Sequence, residues 1–156
     1  MIDQMKNTLA ILFLTILFIK PAAAQNQMYD PALANKLGGD ERGMKMYVLV
    51  ILKTGVADIK DSTIRAQLFR GHFANINKLA EEGKMLTAGP MADNEQHYRG
   101  IFLFNVSNVA EAKELLKGDP TVVNHIFEPL FYELYGSAAL QEIPEIHRKI
   151  QKVKVE

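Results

Sequence analysis

The sequence contains no cysteine, and neither sign of charge is in excess. The absence of cysteine excludes disulfide bonds, thiolate nucleophiles, and zinc or iron–sulfur centres held by cysteine. Lys and Arg together number 18 and Asp and Glu also number 18, so the formal net charge is zero. Because nucleic-acid-binding domains usually carry a strongly basic surface, we expect no nucleic-acid partner.

The common motifs for nucleotides, metals and activated serine are also missing. None of the patterns GxxxxGKS/T, GxGxxG, HExxH and GxSxG occurs in the chain. No two of the four histidines stand at the spacing of metal ligands; they are His72, His97, His125 and His147. We therefore predict neither a cofactor nor a metal ion, and we expect the last three histidines to lie on the surface or in turns.

Residues 1–24 have the organisation of a secretory signal peptide. Lys6 supplies a positive charge, residues 8–19 form an apolar run, and the small residues Ala22 and Ala24 suit signal peptidase. An apolar run of about 12 residues is too short to span a bilayer comfortably, which favours cleavage after Ala24 over an uncleaved N-terminal anchor. We expect a bacterial protein in the periplasm or outside the cell, without stable membrane insertion after cleavage.

The remaining chain is organised as one domain with an extension at each end. A length of 156 residues, with 48% apolar and 23% charged residues, is typical of a single globular domain. Residues 25–45 form a polar leader with room for one or two helical turns at 31–37. We assign residues 46–136 to the domain and residues 137–156 to a C-terminal helical extension.

The domain begins and ends with a strand pattern. Apolar runs predict four strands, at residues 47–53, 85–88, 98–106 and 127–135. The pair Gly89-Pro90 breaks the second run. Pro129 interrupts the last run, which indicates either a strand at an edge of the sheet or a strand that begins late in the run.

Two helices follow from apolar residues at helical spacing. The first lies between Asp61 and Gly83, with Ile64 on its apolar stripe and with Arg65 and Asn75 off it. Ser107 or Asn108 caps the second helix, which ends before Gly118, and a short helical turn follows at 122–126. The order strand, helix, strand, strand, helix, strand is that of the α+β ferredoxin-like fold, βαββαβ. Its helices cover one face of a four-stranded antiparallel sheet, and we expect a second subunit to cover the other face.

The C-terminal extension has an amphipathic pattern. Its apolar residues recur at intervals of 3, 4 and 3 and are Ile143, Ile146, Ile150 and Val153. Its basic residues are Arg148, Lys149, Lys152 and Lys154. The pattern favours a helix packed on its own domain or on a dimer mate, and the alternative is a helix that contacts a membrane surface or another partner.

His72 is the strongest candidate for chemistry because it lies within the apolar stripe of the first helix. A partly buried imidazole needs a hydrogen-bond partner, and a carboxylate would orient it as a general base near neutral pH. Asp119 is the candidate partner, since Pro120 holds it in an extended conformation after the second helix. The alternatives are a core histidine without catalytic function and a turn residue that ends a helix.

Four further residues are candidates for binding a substrate: Gly89, Pro90, Tyr98 and Arg99. A turn at Gly89-Pro90 would let the backbone approach a ligand closely, although the same pair also suits an ordinary turn. Arg99 suits an anionic group of a substrate. Because Tyr98 and Arg99 are neighbours in a strand, they point to opposite faces, and at most one of them lines the cleft.

Several of these segments together resemble the YciI-like (YCII-related) family. They are Gly71-His72, residues 77–90 (NKLAEEGKMLTAGP), Tyr98-Arg99-Gly100, the helix at 109–117, and Asp119-Pro120. Their order and spacing agree from Met46 to about Tyr135. The resemblance implies a dimeric α/β barrel of two ferredoxin-like subunits, with a His–Asp pair proposed as catalytic, and these roles fall on His72 and Asp119.

The resemblance extends to activity only in part. One relative dehydrochlorinates a hydroxylated aromatic ring, while most members of the family have no assigned reaction. The chain departs from some relatives at the third strand, where Gly100 is followed by Ile101 instead of a small hydroxyl residue. This departure argues against a mechanism that depends on such a hydroxyl. The signal peptide, the leader and the C-terminal extension resemble a secreted subgroup.

Three hypotheses about function follow. The first is a small exported enzyme, resembling a lyase, dehydrochlorinase or hydrolase. In it His72, oriented by Asp119, abstracts a proton from a small cyclic or aromatic substrate without a cofactor. The second is a module that binds a small ligand without turnover. The third is a structural dimer in which His72 belongs to the core.

Overall fold

The computed structural model describes residues 28–153, and the predicted signal peptide at residues 1–24 lies outside the described residues. The chain divides into two units, residues 1–31 and 32–156. Of the first unit only residues 28–31 are described, and they lead into the first helix. Among the described residues, no helix combines the length and the apolar composition that crossing a bilayer requires.

The second unit contains the four strands of a single sheet. These strands are β1 (Met44–Thr54), β2 (Met85–Pro90), β3 (Tyr98–Phe104) and β4 (Phe127–Ser137). The helices of the described chain are α1 (Pro31–Leu37), α2 (Ser62–Glu81), α3 (Val109–Leu116), α4 (Pro120–Val123) and α5 (Ile143–Ile150). A 3₁₀ segment, Ala138–Glu142, connects β4 to α5.

The sheet is antiparallel, with the strand order β2-β3-β1-β4. Together with the element order, this topology confirms the predicted ferredoxin-like fold. The most apolar strand, β1, lies inside the sheet between β3 and β4. Strand β4 lies at an edge and already includes Pro129. Of the two interpretations of Pro129, the edge strand is therefore the one observed, and an edge suits proline because it has no N–H to donate to a neighbouring strand.

The helical face of the sheet holds the main core. Alternate residues of β1, including Val48, Val50 and Leu52, point to this face and are almost completely buried. They belong to one cluster with Phe102 and Phe104 of β3 and with residues of α2 and α3. Helix α2 begins at the predicted cap, where the Asp61 carboxylate accepts hydrogen bonds from the N–H groups of Thr63 and Ile64.

The opposite, open face of the sheet is covered at one end by the C-terminal extension. Tyr47, Leu86 and Leu103 are buried there, and Leu134 and Leu140 pack against them. Farther along the same face, Leu49 and Ile51 remain partly exposed, and Tyr132 is 48% exposed. The described chain therefore leaves an apolar area on β1 and β4 without a cover.

The leader and the C-terminal extension contact each other. Lys36 lies 3.4 Å from the Glu142 carboxylate, and the Gln141 side-chain amide donates to the Leu37 carbonyl. The Tyr135 hydroxyl donates to the Asp40 carboxylate, and this hydrogen bond lowers the pKa of Asp40 below its usual value. These contacts hold both extensions at the same end of the sheet.

Three local predictions differ from the structure. Strand β2 continues through Gly89 to Pro90. An edge strand tolerates proline because it has a neighbouring strand on one side only, so the N–H that proline lacks is not needed for pairing. Ile64 was placed on the buried stripe of α2 but is 51% exposed, since the first turn of this helix extends beyond the core. Asn75 was placed off that stripe but is buried, with Gly118 packed against it.

Candidate functional site

His72 and Asp119 form a buried pair between α2 and the start of α4. The Nδ1 atom of His72 lies 2.7 Å from Oδ2 of Asp119. His72 is 7% exposed and Asp119 is completely buried. The spacing of these residues in the sequence could not show whether they meet, and the structure shows that they do. The catalytic role of the pair stays a prediction.

Asp119 is held in place by the helix that follows it. Its backbone is extended, at φ −92° and ψ 110°, as expected before a proline. Its Oδ1 atom caps α4 by accepting the backbone N–H of Thr121 at 2.9 Å and the Thr121 hydroxyl at 2.7 Å. One carboxylate thus accepts three hydrogen bonds, two at Oδ1 and one at Oδ2.

The same hydrogen bonds assign the tautomer of His72. The Thr121 hydroxyl donates its hydrogen to Asp119, so its oxygen presents a lone pair to Nδ1 of His72, 3.1 Å away. Nδ1 therefore faces two acceptors and carries the hydrogen. The other ring nitrogen, Nε2, has a free lone pair and is the nitrogen available to accept a proton.

Nε2 of His72 makes no hydrogen bond with the described residues. Among residues 28–153, the one buried side-chain polar atom without a hydrogen-bond partner is Nδ2 of Asn75. Nε2 is therefore not completely buried and lies on the exposed part of the imidazole, whose side chain is 8% exposed. The pair thus has Nδ1 held by Asp119 and Nε2 without a partner among the described residues.

The charge of Asp119 is stabilised although the side chain is buried. Burial raises the pKa of Asp119, but the hydrogen bonds from His72 and Thr121 outweigh this effect and lower the pKa below its ordinary value of 3.8. Asp119 is therefore a carboxylate at neutral pH. It can hold the imidazole in one orientation and stabilise a positive charge that forms on it.

Four phenylalanine rings surround the imidazole. The ring centroids of Phe69, Phe73, Phe102 and Phe127 lie 5.5 to 6.1 Å from that of His72. The four rings come from three elements: Phe69 and Phe73 lie on α2, Phe102 on β3 and Phe127 on β4. Apolar walls of this kind exclude water and strengthen a hydrogen bond to a ligand.

Gly71 allows α2 to approach the Asp119 segment closely. A Cβ atom at residue 71 would lie 2.6 Å from Cγ of Pro120. We predict that Gly71→Ala lowers the free energy of unfolding by about 1–2 kcal/mol, because the steric cost exceeds the higher helix propensity of alanine. Urea unfolding measures this change. Gly89→Ala is the control, since a Cβ there meets no atom within 4 Å, and an equal loss in both variants would contradict the explanation.

Thr121 is the residue of this site that the sequence patterns did not predict, because its contact with His72 joins residues 49 positions apart. We predict that Thr121→Val lowers the free energy of unfolding by about 1–2 kcal/mol, because the variant leaves Asp119 without one of its donors. Thr121→Ser keeps the hydroxyl, so its free energy of unfolding should fall by less than that of Thr121→Val. Chemical denaturation of the three proteins tests this order, and equal stability of the Val and Ser variants would show that the hydroxyl contributes nothing.

The other predicted binding residues are not joined to the His72 pair by any hydrogen bond in the described chain. The guanidinium of Arg99 is exposed and lies 3.3 Å from the Asp93 carboxylate. Tyr98 is partly buried, and its backbone N–H and carbonyl are both bound by the Asn94 side chain. Gly89 and Pro90 pair with β3, so their role in binding stays a prediction.

Arg65 offers a positive charge on the same face of α2 as His72. Its guanidinium lies 5.4 Å from the centre of the Phe69 ring, which in turn contacts the His72 ring. The helical pattern had assigned Arg65 to solvent, and the residue is exposed. Within the described residues, no group of three or more His, Asp or Glu side chains has the arrangement of a metal site.

The sequence matches the model of one known family. The model of the YCII-related domain matches residues 46–131, which is more than half of the chain. The chain belongs to the YCII-related family. This membership confirms the resemblance that the segments around His72 and Asp119 indicated, and assignment to a secreted subgroup stays a prediction.

A solved structure is also similar to this YCII-related protein. It is 5-chloro-2-hydroxyhydroquinone dehydrochlorinase from Burkholderia phenoliruptrix AC1100 in complex with 2,5-dihydroxybenzoquinone. The match has 14% sequence identity and a TM-score of 0.39, and it covers 55% of this chain and 90% of that chain. No curated protein matches the sequence.

Proposed function

We propose that this YCII-related protein is an exported enzyme in which His72 removes a proton from a small molecule. The observation that carries the proposal is the 2.7 Å hydrogen bond between Nδ1 of His72 and Asp119, which leaves Nε2 as a free base. A proton accepted at Nε2 gives an imidazolium ion that the adjacent carboxylate stabilises. The proton then returns to the substrate at another atom in an isomerisation. In an elimination, the electron pair left on the substrate expels a leaving group, and the proton passes from Nε2 to solvent.

The surroundings of the pair support this chemistry. The phenylalanine rings favour an apolar, cyclic or aromatic substrate, because flat apolar surfaces pack against one another. Export rests on the signal-peptide pattern of residues 1–24. Removal of a proton followed by elimination or isomerisation needs only an oriented base, so the proposed reaction uses no cofactor.

We also propose that the protein works as a homodimer. The partly exposed residues Leu49, Ile51 and Tyr132 form an apolar area on the open face of the sheet, and a second copy is a suitable cover. Light scattering should give the mass of two chains. Tyr132→Glu should give one chain, and an unchanged mass in that variant would contradict this interface.

Hydrogen–deuterium exchange tests the proposed reaction without knowledge of the product. Small carbon acids, including hydroxylated aromatic compounds and cyclic ketones, are incubated with the protein in D₂O and followed by proton NMR. We expect catalysed exchange in at least one compound and a loss of about 10²-fold or more in His72→Gln. Exchange that is unchanged in His72→Gln would contradict the assignment of the base.

A second candidate function is ligand binding without turnover. Two surface grooves, of about 310 Å³ and about 340 Å³, are lined by neither His72 nor Asp119. The position of the base outside both grooves favours a site that only binds, or one that a second subunit completes. Chemical-shift changes around His72 on addition of these compounds, without exchange of their protons, would favour the binding function.

A further inference from the structure

A groove lies between helices α3 and α4 and the edge strand β4. Its volume of about 310 Å³ is at the lower end of the range of about 300–1,000 Å³ that is usual for small-molecule sites. Its apolar lining consists of Leu116 from α3, Val122 and Val123 from α4, and Pro129 and Phe131 from β4. None of these five side chains carries a polar atom, so they offer an apolar surface to a ligand.

This apolar lining runs from the core to the solvent. Leu116 is almost completely buried and belongs to the main core. Val122, Pro129 and Phe131 are partly buried, and Val123 is 56% exposed. The groove is therefore open at Val123, and an apolar body placed in it would remove these side chains from water.

The charged side chains of the groove are two lysines of α3, Lys113 and Lys117. Nζ of Lys113 lies 5.7 Å from the centre of the Phe131 ring, which holds the ammonium group over the apolar lining. Nζ of Lys117 lies 2.6 Å from the Glu114 carboxylate, which balances its charge. Lys113 forms no ion pair with the described part of the chain. The groove thus combines apolar walls with one uncompensated positive charge.

We propose that this groove binds a small carboxylate with an apolar body. The carboxylate lies at the Lys113 ammonium group and accepts a charge-assisted hydrogen bond, while the body packs against Phe131, Pro129 and Val123. No acidic side chain is among the residues that line the groove, so a cation gains no matching charge there. Because the groove is open and Lys113 is exposed, we expect weak binding, with a dissociation constant of about 0.1–1 mM.

The groove is separate from the His72 site and from the apolar area proposed for the dimer. Helix α4 contributes Thr121 to the His72 site and its last two residues to the groove. Phe131 packs against the main core on the helical face of the sheet, whereas Tyr132, the next residue of β4, points to the open face. A dimer that forms through the open face therefore leaves the groove accessible, and the proposal does not depend on catalysis at His72.

Methyl NMR titration of the whole protein tests the proposal with two probes of the same shape, 3-phenylpropanoate and the uncharged 3-phenylpropanamide. We expect both to shift the methyl signals of Leu116, Val122 and Val123. The carboxylate should bind about three- to fivefold more tightly at low salt, and the difference should shrink at high salt because ions screen the attraction. Methyl signals that do not move at about 10 mM carboxylate overturn the proposal, and so does equal affinity for the two probes at low salt.

Matched variants separate the charge from the apolar lining. Lys113→Gln should lower the affinity for the carboxylate to that for the amide and leave the amide unaffected. Lys60→Gln is the control, because it removes an exposed lysine from the loop before α2 and should bind like the wild type. Val123→Gln should weaken the binding of both probes by about threefold or more, because part of the apolar contact is lost. Equal affinities in all four proteins overturn the proposal.

Two further measurements distinguish other occupants of the groove and other sites for the probe. The carboxylate should still shift the groove signals in His72→Gln, and loss of these shifts in a folded variant would place the probe at His72 and overturn the proposal. Light scattering without ligand should give the same mass for Val123→Gln and the wild type. A lower mass for the variant assigns the groove to a contact between copies of the chain and overturns the proposal.

Discussion

Asp119→Ala should lower the free energy of unfolding by about 3–5 kcal/mol at neutral pH. The substitution removes a completely buried carboxylate that accepts hydrogen bonds from His72 and from both the N–H and the hydroxyl of Thr121. Three buried donors lose their acceptor, and α4 loses its N-cap. Urea unfolding monitored by circular dichroism measures the change. A loss below about 1 kcal/mol would show that water replaces the carboxylate easily.

The pH dependence of stability provides an independent check. The pKa of Asp119 in the folded protein lies below its ordinary value of 3.8, so its carboxylate stabilises the fold at pH values above 3.8. This contribution is lost as the pH falls through the folded-state pKa. We expect the unfolding free energy of the wild type to decrease in this acid range. The unfolding free energy of Asp119→Asn should decrease less over the same range. If the unfolding free energies of the two proteins changed with pH in parallel, the lowered pKa of Asp119 would be contradicted.

Asp119→Asn should reduce the rate of His72-dependent proton exchange by about 10³–10⁴-fold. In the folded protein both Thr121 donors point at Oδ1, so the amide oxygen of the new asparagine occupies that position. Its NH₂ group then faces Nδ1 of His72, which must accept instead of donate. The hydrogen of the imidazole moves to Nε2, and the outward nitrogen loses the lone pair that accepts the proton.

Nitrogen-15 NMR of the imidazole tests this tautomer change even before a substrate is known. The wild type should show the hydrogen on Nδ1, and Asp119→Asn should show it on Nε2. Asp93→Asn is the matched control, because it removes an exposed carboxylate that contacts Arg99. If the wild type and Asp119→Asn carry the hydrogen on the same imidazole nitrogen, Asp119 does not set the tautomer of His72. The proposal that His72 is the base then loses its support.

Local patterns predicted much of the fold. The apolar strand β1 and the cap of α2 at Asp61 depend on neighbouring residues and are therefore readable in the sequence. The ends of elements were less predictable. Strand β2 includes Pro90 because it lies at the sheet edge, and that position follows from the topology of the whole domain.

The site shows the same division between local and distant effects. The position of His72 on an apolar helix face and the extended backbone before Pro120 were visible in the sequence. The hydrogen bond between His72 and Asp119 joins residues 47 positions apart, and spacing along the chain says nothing about such a contact. The same applies to Arg99, whose nearest ion-pair partner, Asp93, is exposed.

The order of the elements, the resemblance to the YCII-related family and the residue types of the pair could be read from the amino-acid sequence. Those features depend on periodicity, caps and short motifs, which act over a few residues. The folded chain was needed to show that Thr121 completes the pair, that Nε2 has no partner among the described residues, and that the C-terminal segment covers one end of the open face. These features arise where distant segments pack together, because burial and hydrogen-bond satisfaction are properties of the assembled fold.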